Sequence, residues 1–270
     1  MNGRAASSRT DYYRDYWRSS ELVTAEHVRW KTEKTRMHPR VMAARSILDV
    51  GSGSGHVLEA LVAPGRRLAG VEMAAEAAGA LRARGIEGHA VDLDAEPLPF
   101  ADREFDAVLC YDVFEHIFAP GRLLAEIRRV VAPGGVALLC VPNTLNLFNR
   151  LIFLSGEFVD IMDTAHSSGE LFSNHLRLFS RALFHRFITA GGFRVIERHH
   201  YFPSRFSDSR FRLPSWLAHI VTAPRLHDAF PGAFALGFLY VCEPAPVDPE
   251  GARAAPSHGR ASAALRRGSP

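Results

Sequence analysis

The chain has 270 residues, 47% hydrophobic and 23% charged, with a net charge of +3. These values fit a globular protein built on one α/β domain with appendages and argue against a fibrous or disordered chain. Arg253, Arg260, Arg266 and Arg267 outnumber Asp248 and Glu250 beyond Glu243, so most of the basic excess falls outside the expected fold. A nucleic-acid footprint would need a clustered basic patch, and none is expected.

Cys110, Cys140 and Cys242 each sit in an apolar run without CxxC or metal-ligand spacing, as small hydrophobes in a reducing compartment do. The N-terminus carries no apolar signal-peptide core. No run approaches the ~18 apolar residues of a membrane span, so a cytoplasmic location is expected.

Residues 1–10 are small and polar and read as a flexible N-terminus. Residues 244–270, rich in Ala, Pro, Ser, Gly and Arg, lack the apolar surface to order themselves. The folded domain is expected over residues 11–243. Within it, Ser46–Val50 is a strand running into a Gly-rich turn, followed by a helix over residues 56–61. Arg67–Glu72 is a second strand and residues 74–84 an Ala-rich helix. Residues 88–91 and 106–111 give the third and fourth strands. Residues 120–131 show apolar positions at helical spacing and stop at Pro133-Gly134-Gly135. Residues 136–141 form a fifth strand, Arg181–Ala190 a helix, and residues 193–199 and 234–242 the sixth and seventh strands. The alternation predicts an α/β fold, a Rossmann-like seven-stranded, mostly parallel sheet with helices on both faces and small cap insertions at about 145–174 and 203–231. Its ligand belongs beyond the C-terminal strand ends, at the switch in strand order.

The central motif is Asp49-Val50-Gly51-Ser52-Gly53-Ser54-Gly55, a strand entering three alternating glycines before a helix. Glycines there remove Cβ atoms where backbone must approach a ligand, and a helix start offers unpaired N–H donors. Glu72 ends the second strand 19 residues after Gly53, where a carboxylate can accept both hydroxyls of a ribose. A nicotinamide-dinucleotide site requires GxGxxG; here His56 occupies the third glycine position.

Further segments follow in order: Gly70-Val71-Glu72-Met73; Asp92-Leu93 before Pro97-Leu98-Pro99-Phe100; Phe105 through Tyr111; Val113-Phe114-Glu115-His116; Ala132-Pro133-Gly134-Gly135; His175-Leu176-Arg177-Leu178-Phe179-Ser180; and Ala190-Gly191-Gly192-Phe193. Over residues 45–200 this set resembles the class I S-adenosylmethionine (SAM)-dependent methyltransferases, in the bacterial small-molecule branch related to the quinone-biosynthesis O-methyltransferases. The resemblance implies SAM as cofactor. It implies that Asp49 meets the methionine amino group, that Gly51, Ser52, Gly53 and Gly55 carry the loop under the amino-acid part, and that Glu72 takes the ribose hydroxyls beside Met73. It further implies Asp92 and Leu93 at the adenine, and Cys110 and Tyr111 flanking the sulfonium through their backbone.

A hydroxyl acceptor benefits from a general base, and histidine titrates in the right range. His116, just past the fourth strand, and His175, before helix Arg181–Ala190, are the candidate catalytic residues. A helix-start or cofactor-facing hydrogen bond for His116 and a structural one for His175 are the competing roles, and His166 reads as a solvated loop residue. His199 and His200 point to opposite faces of a strand, and no metal is expected.

The aromatic and apolar side chains of the two insertions suit a hydrophobic or aromatic small-molecule acceptor, but equally a closed core or a homodimer contact. Tyr12, Tyr13, Tyr16, Trp17 and Trp30 suit either a helical lid over SAM or a docked arm. The alternatives are a methyltransferase acting on RNA or protein and a non-catalytic SAM-binding protein.

Overall fold

The computed structural model describes residues 25–154, 156, 175–201 and 229–246. Seven strands, β1 (Ser46–Val50), β2 (Arg67–Glu72), β3 (Glu87–Ala90), β4 (Phe105–Tyr111), β5 (Val131–Pro142), β6 (Phe193–Tyr201) and β7 (Gly237–Pro244), form one sheet in the order β3-β2-β1-β4-β5-β7-β6. β1 through β5 pair in parallel, whereas β7 runs antiparallel to both β5 and β6. The order reverses between β1 and β4, so their C-terminal ends open the crevice in which ligands of such sheets bind.

Helices α1 (Ala25–Met37), α2 (Pro39–Ala43), α3 (His56–Glu59) and α4 (Ala75–Ala83) are followed by α5 (Pro120–Val130), α6 (Leu147–Leu154), α7 (Arg181–Ala190) and α8 (Pro231–Phe234). Parallel strands covered on both faces carry continuous apolar runs, and here alternate residues feed two cores. Leu48 and Val50 of β1 join Leu123, Leu124 and Ile127 of α5 and Phe184 and Ile188 of α7. Ile47 faces the other way, onto Val41, Val57, Leu58 and Leu81 from α2, α3 and α4.

Several boundaries differ from the sequence reading, among them three strand starts. β5 starts at Val131, because extended chain continues through Pro133-Gly134-Gly135 with Gly134 at φ 77°, and Val131 pairs with Phe105 across a register shift. β7 starts at Gly237, because Pro231, with its fixed φ, opens the short helix α8 just before it. β3 runs one residue earlier than expected, from Glu87 to Ala90.

Of the aromatic stretch expected to form a helical lid or a docked arm, Trp30 lies in helix α1. Its buried positions are His27, Lys31, Thr35 and, just past its end, His38, a stripe of polar residues at helical spacing. It docks by Trp30 against Tyr201, with ring centroids 5.2 Å apart, and by a 2.7 Å hydrogen bond between Thr35 Oγ1 and the Tyr111 hydroxyl. Tyr12, Tyr13, Tyr16, Trp17 and His166, most of both insertions and both expected tails lie outside the described residues.

Close packing of α4 on the sheet depends on absent side chains. A Cβ at Gly55 or Gly70 would come within 2.3 or 2.6 Å of a Leu81 methyl, and one at Gly88 within 2.3 Å of the Ala78 carbonyl. Leu81, fully buried, fills the groove these glycines leave. Replacing Leu81 with Ala should lower the unfolding free energy by about 2–5 kcal/mol. Gly88→Ala, which meets rigid backbone, should cost about 1–3 kcal/mol. Urea denaturation measures both, and a loss well under 1 kcal/mol for Leu81→Ala would contradict this packing.

Candidate functional site

The sequence-predicted cofactor residues lie at the C-terminal ends of β1, β2, β3 and β4. After β1 the backbone turns so that the N–H groups of Gly51 and Ser52 both donate to the Val71 carbonyl, at 2.9 and 3.1 Å. Gly51, Gly53 and Gly55 all have positive φ, 74°, 52° and 79°, which strains any residue with a Cβ. Their surroundings separate them. A Cβ at Gly51 would lie 2.3 Å from a Val113 methyl, and one at Gly55 would strike Leu81, so those two serve the protein's own packing. Only Gly53 has nothing within 4 Å of its Cβ position. The expectation that all three glycines clear space for a ligand therefore narrows to Gly53.

Glu72 ties this loop to the next strand. One carboxylate oxygen accepts from the Gly53 N–H at 3.0 Å and the other from the Met73 N–H at 2.8 Å. Burial raises its pKa, offset in part by these N–H donors. A carboxylate has about four lone-pair positions, so it keeps capacity for further donors. Ser52, Met73 and Asp92 are half-buried and Leu93 buried. Asp92 Oδ1 accepts from the Asp94 N–H at 3.0 Å. That turn is braced from α5, where Arg122 donates to the Asp94 and Ala95 carbonyls. The Tyr111 side chain points away to Thr35 and Cys110 is buried in the core, so these two offer the crevice only their backbone.

Asp49, at the end of β1, is buried, and burial pushes its pKa up to about 7 against the pull of Lys31, with Glu72 adding to the rise. Two carboxylates that the sequence reading left without a role complete the edge. Asp112 follows β4 at φ 55°, donates its N–H to the Cys140 carbonyl at 3.0 Å, and forms an ion pair with Lys31 of α1. Burial alone would raise Asp112, but Lys31 and His27 hold it well below the carboxylate range. His27 is itself driven down to about 3 by burial and by Lys31. Glu115 lies in a single 3-10 turn, Phe114–His116, fully buried, and neither of its oxygens meets a hydrogen-bond partner among the described residues. Burial and the charge of Asp112 raise its pKa.

The two candidate catalytic histidines meet here although 59 positions separate them. The Glu115 carbonyl accepts from the Leu176 and Arg177 N–H groups at 2.7 and 3.0 Å, and Arg177 also donates to the Phe118 carbonyl at 2.7 Å. These bonds lay His175 against His116 with ring centroids 5.0 Å apart. Past β5, Asn143 donates to the Ala235 carbonyl at 2.7 Å, while its Oδ1 and the Thr144 hydroxyl, both buried, lack a hydrogen-bond partner among the described residues. His199, on β6, lies 3.2 Å from Glu197.

Sequence reasoning missed Lys31, Asp112 and the role of Glu115. Asp112 was legible as a polar residue just past an apolar strand. Lys31 had no local signal, because its partner lies 81 positions away.

Residues 48–139 match the family model described as a methyltransferase domain. An uncharacterized methyltransferase of Mycobacterium marinum is 42% identical over 101 residues, 36% of this chain and 39% of that protein. A protein of Mycolicibacterium smegmatis described as a probable S-adenosylmethionine-dependent methyltransferase is 27% identical over 133 residues, 46% of this chain and 52% of that protein. The chain thus spans well under half the length of the first curated relatives it matches. Among solved structures, a putative methyltransferase of Haloferax volcanii in complex with the Trm112 activator superposes with a TM-score of 0.60 at 19% identity, covering 88% of this chain and 98% of that one. A SAM-dependent methyltransferase from Archaeoglobus fulgidus gives 0.56 at 14% identity, covering 87% and 99%. The [4+2]-cyclase SpnF gives 0.55 at 16% identity, covering 90% and 99%. At these identities the structural likeness concerns the fold. Residues 48–139 are thus similar to a methyltransferase domain, and the fold of the chain is that of solved SAM-dependent methyltransferases.

Proposed function

We propose that this protein transfers the methyl group of SAM to a small-molecule acceptor, at a hydroxyl oxygen of an aromatic or hydrophobic compound, in the cytoplasm. The observation that carries the reading is the open face over Gly53, with Asp49 and Glu72 at the same strand edge. The residues present fit SAM: a buried carboxylate for an ammonium, a second for ribose hydroxyls, and net negative charge around a sulfonium. When bound, SAM supplies a methyl group already activated on a positive sulfur.

In this reading Asp49 receives the methionine amino group, Glu72 the ribose hydroxyls, and Asp92 the adenine amino group, with Met73 and Leu93 against the ring. Helix α1, locked by Lys31 on Asp112, keeps water from the strand edge. His116 and His175 hold the acceptor hydroxyl, where a positioned base contributes ~10²–10⁴-fold and orientation alone up to ~7–11 kcal/mol. Phe118, Leu145 and Leu176, exposed around that edge, support an apolar acceptor. Three buried free cysteines support a reducing compartment. Among the described residues no helix is long and apolar enough to cross a membrane.

Calorimetric titration tests this reading. SAM and S-adenosylhomocysteine should bind, and NAD should not. Gly53→Val should abolish both bindings while unfolding stays cooperative. Gly51→Ala should instead destabilise the loop, because its Cβ meets Val113. Unchanged SAM affinity in Gly53→Val would remove the cofactor from this edge.

The pKa of Asp49 sets a pH dependence. It is raised from 3.8 to about 7, so its neutral form is favoured in the folded chain. Its contribution to folding stability is present below the unfolded value and lost as pH rises through about 7. An ammonium ligand needs the ionised form, so affinity for S-adenosylhomocysteine should fall about tenfold per pH unit below about 7. At higher pH it should fall again, as the ligand's α-amino group loses its proton. Asp49→Asn should flatten the acid limb, and an acid limb unchanged in that variant would contradict the assignment.

A further inference from the structure

Two carboxylates stand on consecutive turns after β4, and they differ in what neutralises them. Asp112 has the Lys31 ammonium and, 3.8 Å away, His27 Nδ1. Glu115 is more deeply buried, and neither oxygen has a hydrogen bond among the described residues. A buried carboxylate without donors is costly unless a cation or proton meets it. Two imidazoles stand beside it. His116 Nε2 lies 3.9 Å from Glu115 Oε1, and His175 is drawn in by the backbone bonds from residues 176 and 177 to the Glu115 carbonyl. One donor atom from each of Glu115, His116 and His175 lies within 4.8 Å of the others.

We infer that Glu115, His116 and His175 form a binding site for one divalent transition-metal ion, of the zinc class, with its remaining positions open to an oxygen of the acceptor. Two imidazoles and one carboxylate are a donor set used where a metal keeps open positions. Ligand bonds of about 2.0–2.2 Å put tetrahedral neighbours about 3.4 Å apart, so the three groups need close by at most about 1.4 Å. The neighbouring trio His27, Asp112 and Cys140 has similar spacing, but Lys31 already occupies its cation position. The expectation of no metal weighed cysteine spacing and the pair His199 and His200. It did not join His116 to His175, which no local spacing connects.

The ion's part in acceptor binding rests on the methyl-transfer reading, whereas the ion site does not. In this arrangement the two rings orient the acceptor oxygen through the metal instead of taking its proton directly.

The test uses the full chain stripped with chelator and titrated with Co²⁺ by absorption, with Zn²⁺ as competitor. One Co²⁺ per chain is expected, with ligand-field bands of a four- or five-coordinate ion, no thiolate charge-transfer band, and displacement by Zn²⁺. Outer-shell partners of metal sites carry about 10–100-fold in affinity, so Glu115→Gln and His175→Gln, which remove ligands, should each weaken binding by more than about 100-fold. Both variants should unfold cooperatively and bind S-adenosylhomocysteine as the parent does. Absence of stoichiometric Co²⁺ binding would overturn the site, as would a thiolate band marking Cys140 or undiminished binding in both variants. Stoichiometric Co²⁺ binding by a parent chain that does not bind S-adenosylhomocysteine would support the ion site and sink the methyl-transfer reading.

Discussion

Carboxylates crowd the C-terminal edge of the sheet, and the arrangement around them follows from the need to neutralise them. Asp49 is the penultimate residue of β1, Glu72 ends β2, and Asp112 and Glu115 follow β4. Lys31 reaches this edge from α1 and pairs with one of them. Backbone N–H groups of the glycine loop and Met73 hold a second, Glu72. Asp49, Glu72 and Glu115 all have raised pKa values, driven first by burial, and for Glu72 the backbone donors offset part of the rise. Such an edge favours any ligand that brings positive charge, and SAM brings both an ammonium and a sulfonium. Perturbed groups gathered in one crevice are also what a functional site looks like in physical terms.

Much of this was legible in the sequence where the signal was local. The strand–glycine–helix unit, Glu72 at its fixed distance, and the apolar face of α5 depend on neighbours in the chain, and their boundaries came out within a residue or two. What escaped depended on distant partners or on unusual burial. Helix α1 buries His27, Lys31 and Thr35 where an amphipathic helix usually buries aliphatics, so hydrophobic periodicity could not find its inner face. His116 and His175 were each picked out, but their meeting at Glu115 depends on backbone bonds across the fold. Of the three glycines, the sequence could not say which two serve packing and which one faces open space.

The fold alone would not have decided the chemistry. The [4+2]-cyclase SpnF has a comparable likeness to this chain, as do proteins described as methyltransferases, and one scaffold commonly carries several activities. The discrimination lies in side chains at the strand edge. In the proposed function Asp49, Glu72 and the clear face of Gly53 receive the cofactor, and Glu115, His116 and His175 face what lies beside it. Helix α1 connects the two halves, since Lys31 acts electrostatically on Asp49, Asp112 and Glu115 together.

The most direct test of this electrostatic account counts protons. Titrating the chain with S-adenosylhomocysteine at pH 6.5, in buffers of different ionisation enthalpy, gives the number of protons exchanged on binding. A ligand ammonium at Asp49 should force ionisation of a group that is largely neutral beforehand, so the account predicts proton release that disappears in Asp49→Asn. Binding without proton release, or release that persists in Asp49→Asn, would contradict it.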